Sequence, residues 1–191
     1  MNSYKIDLAP VIELTDEQFY ELCGQNPDYK FERTAKGELI IMSPTGGETG
    51  GKNWSINGQI WLWNQRTSLG IGFDSLTCFK LPNGANLSPN AAWILQERWD
   101  ALSAEERRKF PPICPDFVIE LRSPTDTLKN LREKMVEYKE NGARLGWLID
   151  PINKQVEVYR LGVEVEVLEG PASVSGEDVL PGFVLDLAGI L

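Results

Sequence analysis

Between Pro115 and Pro151 the spacing of apolar residues changes twice. From Asp116 to Arg122, "DFVIELR", alternation puts Phe117, Ile119 and Leu121 on one side of a strand and Asp116, Val118, Glu120 and Arg122 on the other. Leu128, Leu131, Met135 and Tyr138 then fall at intervals of 3, 4 and 3, the period of a helix with one buried face. Asn141-Gly142 is a stop signal, and Leu145 to Ile149 is a nearly continuous apolar run that suits a central strand covered on both faces. The pattern predicts strand, helix, strand in a right-handed crossover, and therefore a pair of parallel strands.

Upstream, Thr15 to Cys23 reads as a short helix, with a capping box from Thr15 and Gln18 and with Phe19, Leu22 and Cys23 on one face. Phe31 to Thr34 and Glu38 to Met42 predict a hairpin turned by Lys36-Gly37. A Gly-rich loop, Ser43 to Lys52, leads into a long helix in which Trp54, Ile56, Ile60, Trp61 and Trp63 are candidates for burial. Ile71 to Asp74, Thr77 to Leu81 and the strand ending at Ile94 read as an antiparallel meander, followed by a polar helical insertion with a second capping box from Ser103 and Glu106. Gln155 to Arg160 and Val163 to Leu168 alternate as a hairpin with one exposed face, and the tail "LPGFVLDLAGIL" needs the body to cover it. No repeat or linker interrupts the chain, so a single domain over residues 1–191 is expected.

Composition narrows the chemistry. With 42% apolar and 25% charged residues the chain has the make-up of an ordinary globular protein, and no apolar run approaches the ~20 residues of a membrane span, so a cytoplasmic protein is expected. Three scattered cysteines, Cys23, Cys78 and Cys114, suggest neither a disulfide framework nor a thiolate zinc site. The absence of histidine removes the usual general base and every Ser/His or Cys/His nucleophile pair. Hydrolytic chemistry would have to run on carboxylates, lysine and a hard metal ion. A net charge of −9 weighs against non-specific binding of nucleic acid, which rests on neutralising phosphates.

Within that range, Glu120 stands out, because a carboxylate in the middle of an apolar strand is costly to bury without a partner or a cation. An internal salt bridge to Arg122 or to a lysine of the next helix would satisfy it. Asp116 shares its face but lies ~13 Å away at ~3.3 Å per residue, too far to chelate the same ion, and at the strand entrance reads as a cap or peripheral group. Lys134 lies beside the packing face of the helix, where its amine either bends to the strand or follows the helix surface to water. Glu48 falls before or in the first turn of the long helix, where the helix dipole favours an acid. The loop "GGETGGK" has neither P-loop nor dinucleotide spacing.

The segments "GELIIMSPTGGETG", "LSPNAAWILQERW", "FPPICPDFVIELRSPTD", "REKMVEYKENGARLGWLIDP" and "LPGFVLDL" together resemble the Uma two (Uma2) family of restriction-endonuclease-like proteins, frequent in cyanobacteria and placed in the PD-(D/E)XK nuclease superfamily. The combination of "PDFVIELRSP" with "GWLIDP" carries most of the resemblance. It implies an α/β (α+β) restriction-endonuclease-like fold, a central mixed β-sheet flanked by helices, with DNA as substrate and Mg²⁺ or Mn²⁺ as cofactor. By position, Glu120 matches the acid of the (D/E)XK element. Arg122 stands where its lysine would be, so the resemblance leaves two candidates for that role, Arg122 itself and Lys134 as a lysine migrated to the helix, and Glu48 matches an additional acid at the head of the first long helix. The aspartate of the "PD" element is replaced by Asn90, whose amide oxygen can still face a hard cation but brings no charge. The metal-site set implied is Asn90, Glu120 and Glu48, with Asp116 on the same strand face. A metal-dependent endonuclease acting on DNA is the first reading, and a nuclease-fold module that binds nucleic acid or protein without turnover is the alternative. The hairpin at Gln155 to Leu168 and the tryptophan content further suggest a homodimer.

Overall fold

A computed structural model describes residues 3–8 and 11–191. In chain order the first half contains β1 (Ser3–Ile6), α1 (Asp16–Gln25), β2 (Lys30–Arg33), β3 (Leu39–Met42), α2 (Gly47–Thr67), β4 (Gly70–Asp74), β5 (Phe79–Lys80), β6 (Asn86–Leu87) and β7 (Ala91–Leu95). The second half contains α3 (Gln96–Asp100), α4 (Ala104–Arg108), β8 (Phe117–Leu121), α5 (Leu128–Glu140), β9 (Leu145–Asp150), β10 (Gln155–Arg160), β11 (Glu166–Glu169), β12 (Ser173–Ser175) and β13 (Val184–Asp186).

The crossover read from the apolar period is present: β8 and β9 are parallel, Phe117 opposite Leu145 and Glu120 opposite Leu148, with α5 between them in sequence. Around that pair grows a six-stranded mixed sheet in the order β11-β10-β9-β8-β7-β4, whose other pairings are antiparallel. One face packs Phe117, Ile119, Leu121 and Trp147 against Ile56, Ile60 and Trp63 of α2 and against the C-terminal Leu180, Phe183, Leu185 and Ile190. The other packs Val118 and Leu148 against Met135 and Tyr138 of α5. Gly146 allows the helix to lie close, since a Cβ there would stand 2.6 Å from Met135 Cε. Beside this body a five-stranded sheet, β1-β3-β2-β6-β5, carries α1, whose Phe19 is buried with Phe31, Leu39 and Cys78. Both capping boxes are present.

Four expectations are corrected. The segment from β4 to β7 is no meander: β5 and β6 join the smaller sheet, and β4 pairs instead with β7, which returns to it. Helix α2 begins at Gly47, so most of the Gly-rich segment is helical. Trp54 and Trp61 point outward, opposite Ile56 and Ile60. Strand β10 is covered on both faces, with Val156, Glu157, Val158 and Tyr159 all buried, and of the two strands of this hairpin only β11 is exposed. No helix among the described residues is long and apolar enough to cross a membrane.

Candidate active site

Glu120 is the fourth residue of β8 and points to the α5 face of the sheet, where it is 3% exposed. Two turns into α5, Lys134 bends toward that strand, and its Nζ lies 2.8 Å from Glu120 Oε1. The same Nζ lies 2.8 Å from Oε1 of Glu32, an equally buried acid on β2, and donates to the carbonyl of Ser88 at 3.2 Å. Ser88 N–H donates to the same Glu32 oxygen at 2.7 Å. One ammonium group thus bridges two carboxylates that come from two different sheets. Tyr138, one turn beyond Lys134, donates its hydroxyl to Glu120 Oε1 at 3.3 Å. Lys30 also donates to the Ser88 carbonyl, at 3.4 Å.

Asn90 precedes β7 and works as an extension of its ladder. Its N–H donates to Ile119 O, and its side-chain oxygen accepts the N–H of Leu121, each at 2.9 Å. The amide oxygen is thereby held on the same stretch of β8 that carries Glu120. A cavity of about 570 Å³ lies against these groups, with Lys30, Glu32, Ser88, Asn90, Glu120 and Lys134 in its wall. Asn90, Glu120 and Lys134 therefore meet at one place, although they stand 44 residues apart at the extremes of the sequence.

Electrostatics define what each group can do. Burial opposes the charge on Lys134, but Glu120 and Glu32 outweigh it and raise its pKa well above the usual lysine value of 10.5. The two acids thus hold Lys134 in its protonated form near neutral pH. Burial raises the pKa of the Glu120 carboxyl, Lys134 works against that rise, and Glu32 adds to it. The Lys30 ammonium is pushed down, by burial first.

The remaining sequence-predicted residues are elsewhere. Arg122 donates to Asp150 at 2.9 Å, so it is not the partner of Glu120. Asp116 pairs with Arg98 at 2.8 Å and accepts Leu95 N–H at 2.9 Å, tying β8 to the end of β7. Glu48 is exposed in the first turn of α2 and lines an adjoining cavity of about 450 Å³, which shares Thr49, Ser123 and Thr125 with the first. Glu32 was not singled out from the sequence. Its only signal there is an acid between Phe31 and Arg33 on a predicted strand, and nothing local says that β2 comes up against α5.

Among the described residues no group of three or more acidic, cysteine or histidine side chains forms a ready-made metal cage. The donors at Glu120 and Asn90 are nevertheless hard oxygens, the type Mg²⁺ takes, and Mg²⁺ usually binds through one or two carboxylates, its own waters and substrate phosphate. They fit such an ion in kind and fall short in charge, because Asn90 is neutral and Lys134 already balances one carboxylate.

Comparison with known proteins gives a family and a fold. The model of the Uma2 family, described as "Putative restriction endonuclease", matches residues 16–188. No curated protein matches the chain. A crystal structure of a "putative nuclease belonging to DUF820" from Anabaena variabilis superposes with a TM-score of 0.70 at 21% identity, over 84% of this chain and 88% of that one. At that identity the likeness is one of fold.

Proposed function

The chain belongs to the Uma2 family, and from that membership we propose that it is a metal-dependent endonuclease hydrolysing phosphodiester bonds of DNA in the cavity beside Glu120. One observation supports this reading above the others: Asn90 just before β7, Glu120 on β8 and Lys134 on α5 line a single cavity. Glu120 and the Asn90 carbonyl oxygen would hold Mg²⁺ or Mn²⁺ together with the phosphate of the substrate. When bound, the cation supplies counter-charge to the phosphate and acidity to the attacking water.

The protein's own groups do the rest. Lys134, locked in its charged form, faces the negative charge that grows on the phosphate in the transition state. Glu32 and the Ser88 carbonyl hold its amine in place. Tyr138 orients Glu120 from behind. Arg122 and Asp116, each in an ion pair of its own, hold strands together and do not meet substrate. Glu48 sits at the rim, on the adjoining cavity.

A second reading rests on Asn90. Its amide brings no charge, and the two carboxylates of the site share one ammonium, so a protein that binds DNA without cutting it is the alternative. Plasmid cleavage across a Mg²⁺ and Mn²⁺ titration separates the two. We expect slow, metal-dependent cleavage by the wild type, none by Glu120→Gln, and cleavage by Asn90→Asp at about tenfold to a hundredfold lower metal concentration. Cleavage by Asn90→Asp alone would mark a site that has lost turnover. Absence of cleavage in both would overturn the endonuclease reading in favour of binding.

A further inference from the structure

Helix α2 leaves one stripe uncovered. Gly47, Gly51, Trp54, Gly58, Trp61 and Gln65 follow at intervals of 4, 3, 4, 3 and 4, and every one of them is exposed. Trp54 is 82% and Trp61 62% exposed, with Leu62 at 47% beside them, while Ile56, Ile60 and Trp63 on the other side are buried in the sheet. Two nearly bare indoles in register on a 21-residue helix form an apolar surface of the kind that marks a contact with another molecule.

We propose that this stripe is a homodimer interface, in which α2 packs antiparallel against α2 of a second copy about a two-fold axis passing near Asn57 and Gly58. The stripe is complementary to itself in two independent ways. Trp54 and Trp61 lie symmetrically about the point between residues 57 and 58, so antiparallel pairing sets Trp54 of each copy against Trp61 of the partner subunit. Gly58 at the centre and Gly51 beyond leave room for the indoles and for close approach of the two backbones. The second feature is charge. Glu48 in the first turn and Arg66 in the last are both exposed, and neither has an ion-pair partner among the described residues. They are 18 residues apart, five turns of about 3.6 residues, and so lie on the same flank of the stripe. Their midpoint, residue 57, falls within half a residue, about 0.8 Å of rise, of the tryptophan midpoint. The two-fold that stacks the indoles therefore also brings Glu48 of each copy beside Arg66 of the partner subunit, at both ends.

A nucleic acid strand would also accept aromatic rings, but it needs a basic groove around them. Here α2 carries only Glu48, Lys52 and Arg66, a net of one positive charge and no basic groove, on a chain of net charge −9, which favours a second copy.

Sedimentation velocity of the full chain across the micromolar range tests the interface. The wild type should sediment as a concentration-dependent dimer, and Trp54→Ser/Trp61→Ser as a monomer with an unchanged far-UV circular dichroism spectrum. Arg66→Glu should weaken the dimer about threefold to tenfold, and the swap Glu48→Arg/Arg66→Glu should restore it. A monomeric wild type, or a dimer indifferent to the double tryptophan variant, would overturn the interface. A charge swap that fails to rescue a weakened Arg66→Glu dimer would overturn the antiparallel register. A monomeric wild type that loses single-stranded DNA binding on the tryptophan changes would assign the stripe to nucleic acid instead.

Discussion

Glu120 and Glu157 occupy matching places in the large sheet. Each lies opposite Leu148 in register, one on β8 and the other on β10, on the face that α5 covers, and each is 3% exposed. Their surroundings differ in kind. Glu157 takes Nε and Nη2 of Arg132 on one oxygen, at 2.8 and 2.6 Å, and the Tyr159 hydroxyl on the other at 2.7 Å. One carboxylate has three donors and a whole positive charge. Glu120 shares the single ammonium of Lys134 with Glu32, and it borders a cavity. The comparison teaches that a buried carboxylate is not itself a sign of chemistry, since Glu157 is closed off as a structural pair. An incomplete share of charge beside open space is what distinguishes Glu120.

That contrast can be broken most directly by removing the cations. Lys134→Met removes the one ammonium in contact with both carboxylates and leaves only the more distant Lys30 as counter-charge, so it should cost about 3–5 kcal/mol in urea unfolding. Arg132→Met should cost only about 1 kcal/mol, because the Arg132 side chain is 51% exposed, so the pair is screened by water, and Glu157 keeps its tyrosine. Equal losses would mean that the two acids are held alike. Adding Glu32→Gln and Glu120→Gln to Lys134→Met should return most of the lost stability, since the cost lies in uncompensated charge and not in lost contacts.

Alkaline pH sharpens the same comparison. The pKa of Lys134 is raised in the folded state, so its stabilising contribution is complete below the unfolded value of 10.5 and is lost as the pH climbs through the higher folded value. Melting temperatures followed upward from pH 10 should therefore fall faster for the wild type than for Lys134→Met. Arg132→Met should track the wild type, because a guanidinium does not titrate in that range. Parallel curves for all three would show that Lys134 is not held by the two acids.

The smallest effect is expected at the two tyrosines. Tyr159→Phe removes a 2.7 Å bond to Glu157 and should cost about 1 kcal/mol, while Tyr138→Phe removes a 3.3 Å bond to Glu120 and should cost less. The reverse order would show that Glu120 depends on Tyr138 more than its geometry indicates.

How far the sequence carried each conclusion follows from the range of the interactions involved. The strand, helix and strand from Asp116 to Asp150 were legible because their periods are local, as were both capping boxes, each closed within four residues. The burial of α2 was misjudged because its tryptophans were counted together. Trp54 and Trp61 are seven residues apart and share one side, whereas Ile56, Ile60 and Trp63 share the other, and the helical period separates the two sets. The pairing of β4 with β7 could not be read in this way, because two strands of another sheet intervene between them.

At the site, sequence alone singled out Glu120, placed an amide at Asn90 where an aspartate belongs to the family pattern, and offered Lys134 as one of two basic candidates. Only the tertiary structure shows which of the two bases meets Glu120, by turning Lys134 toward it and Arg122 toward Asp150. It also added Glu32, from a strand 102 residues before Lys134, to the same ammonium. Residue types and local periods set which groups are available. Which of them must neutralise one another is decided by packing, because a charge taken out of water takes whatever partner the fold brings within about 3 Å.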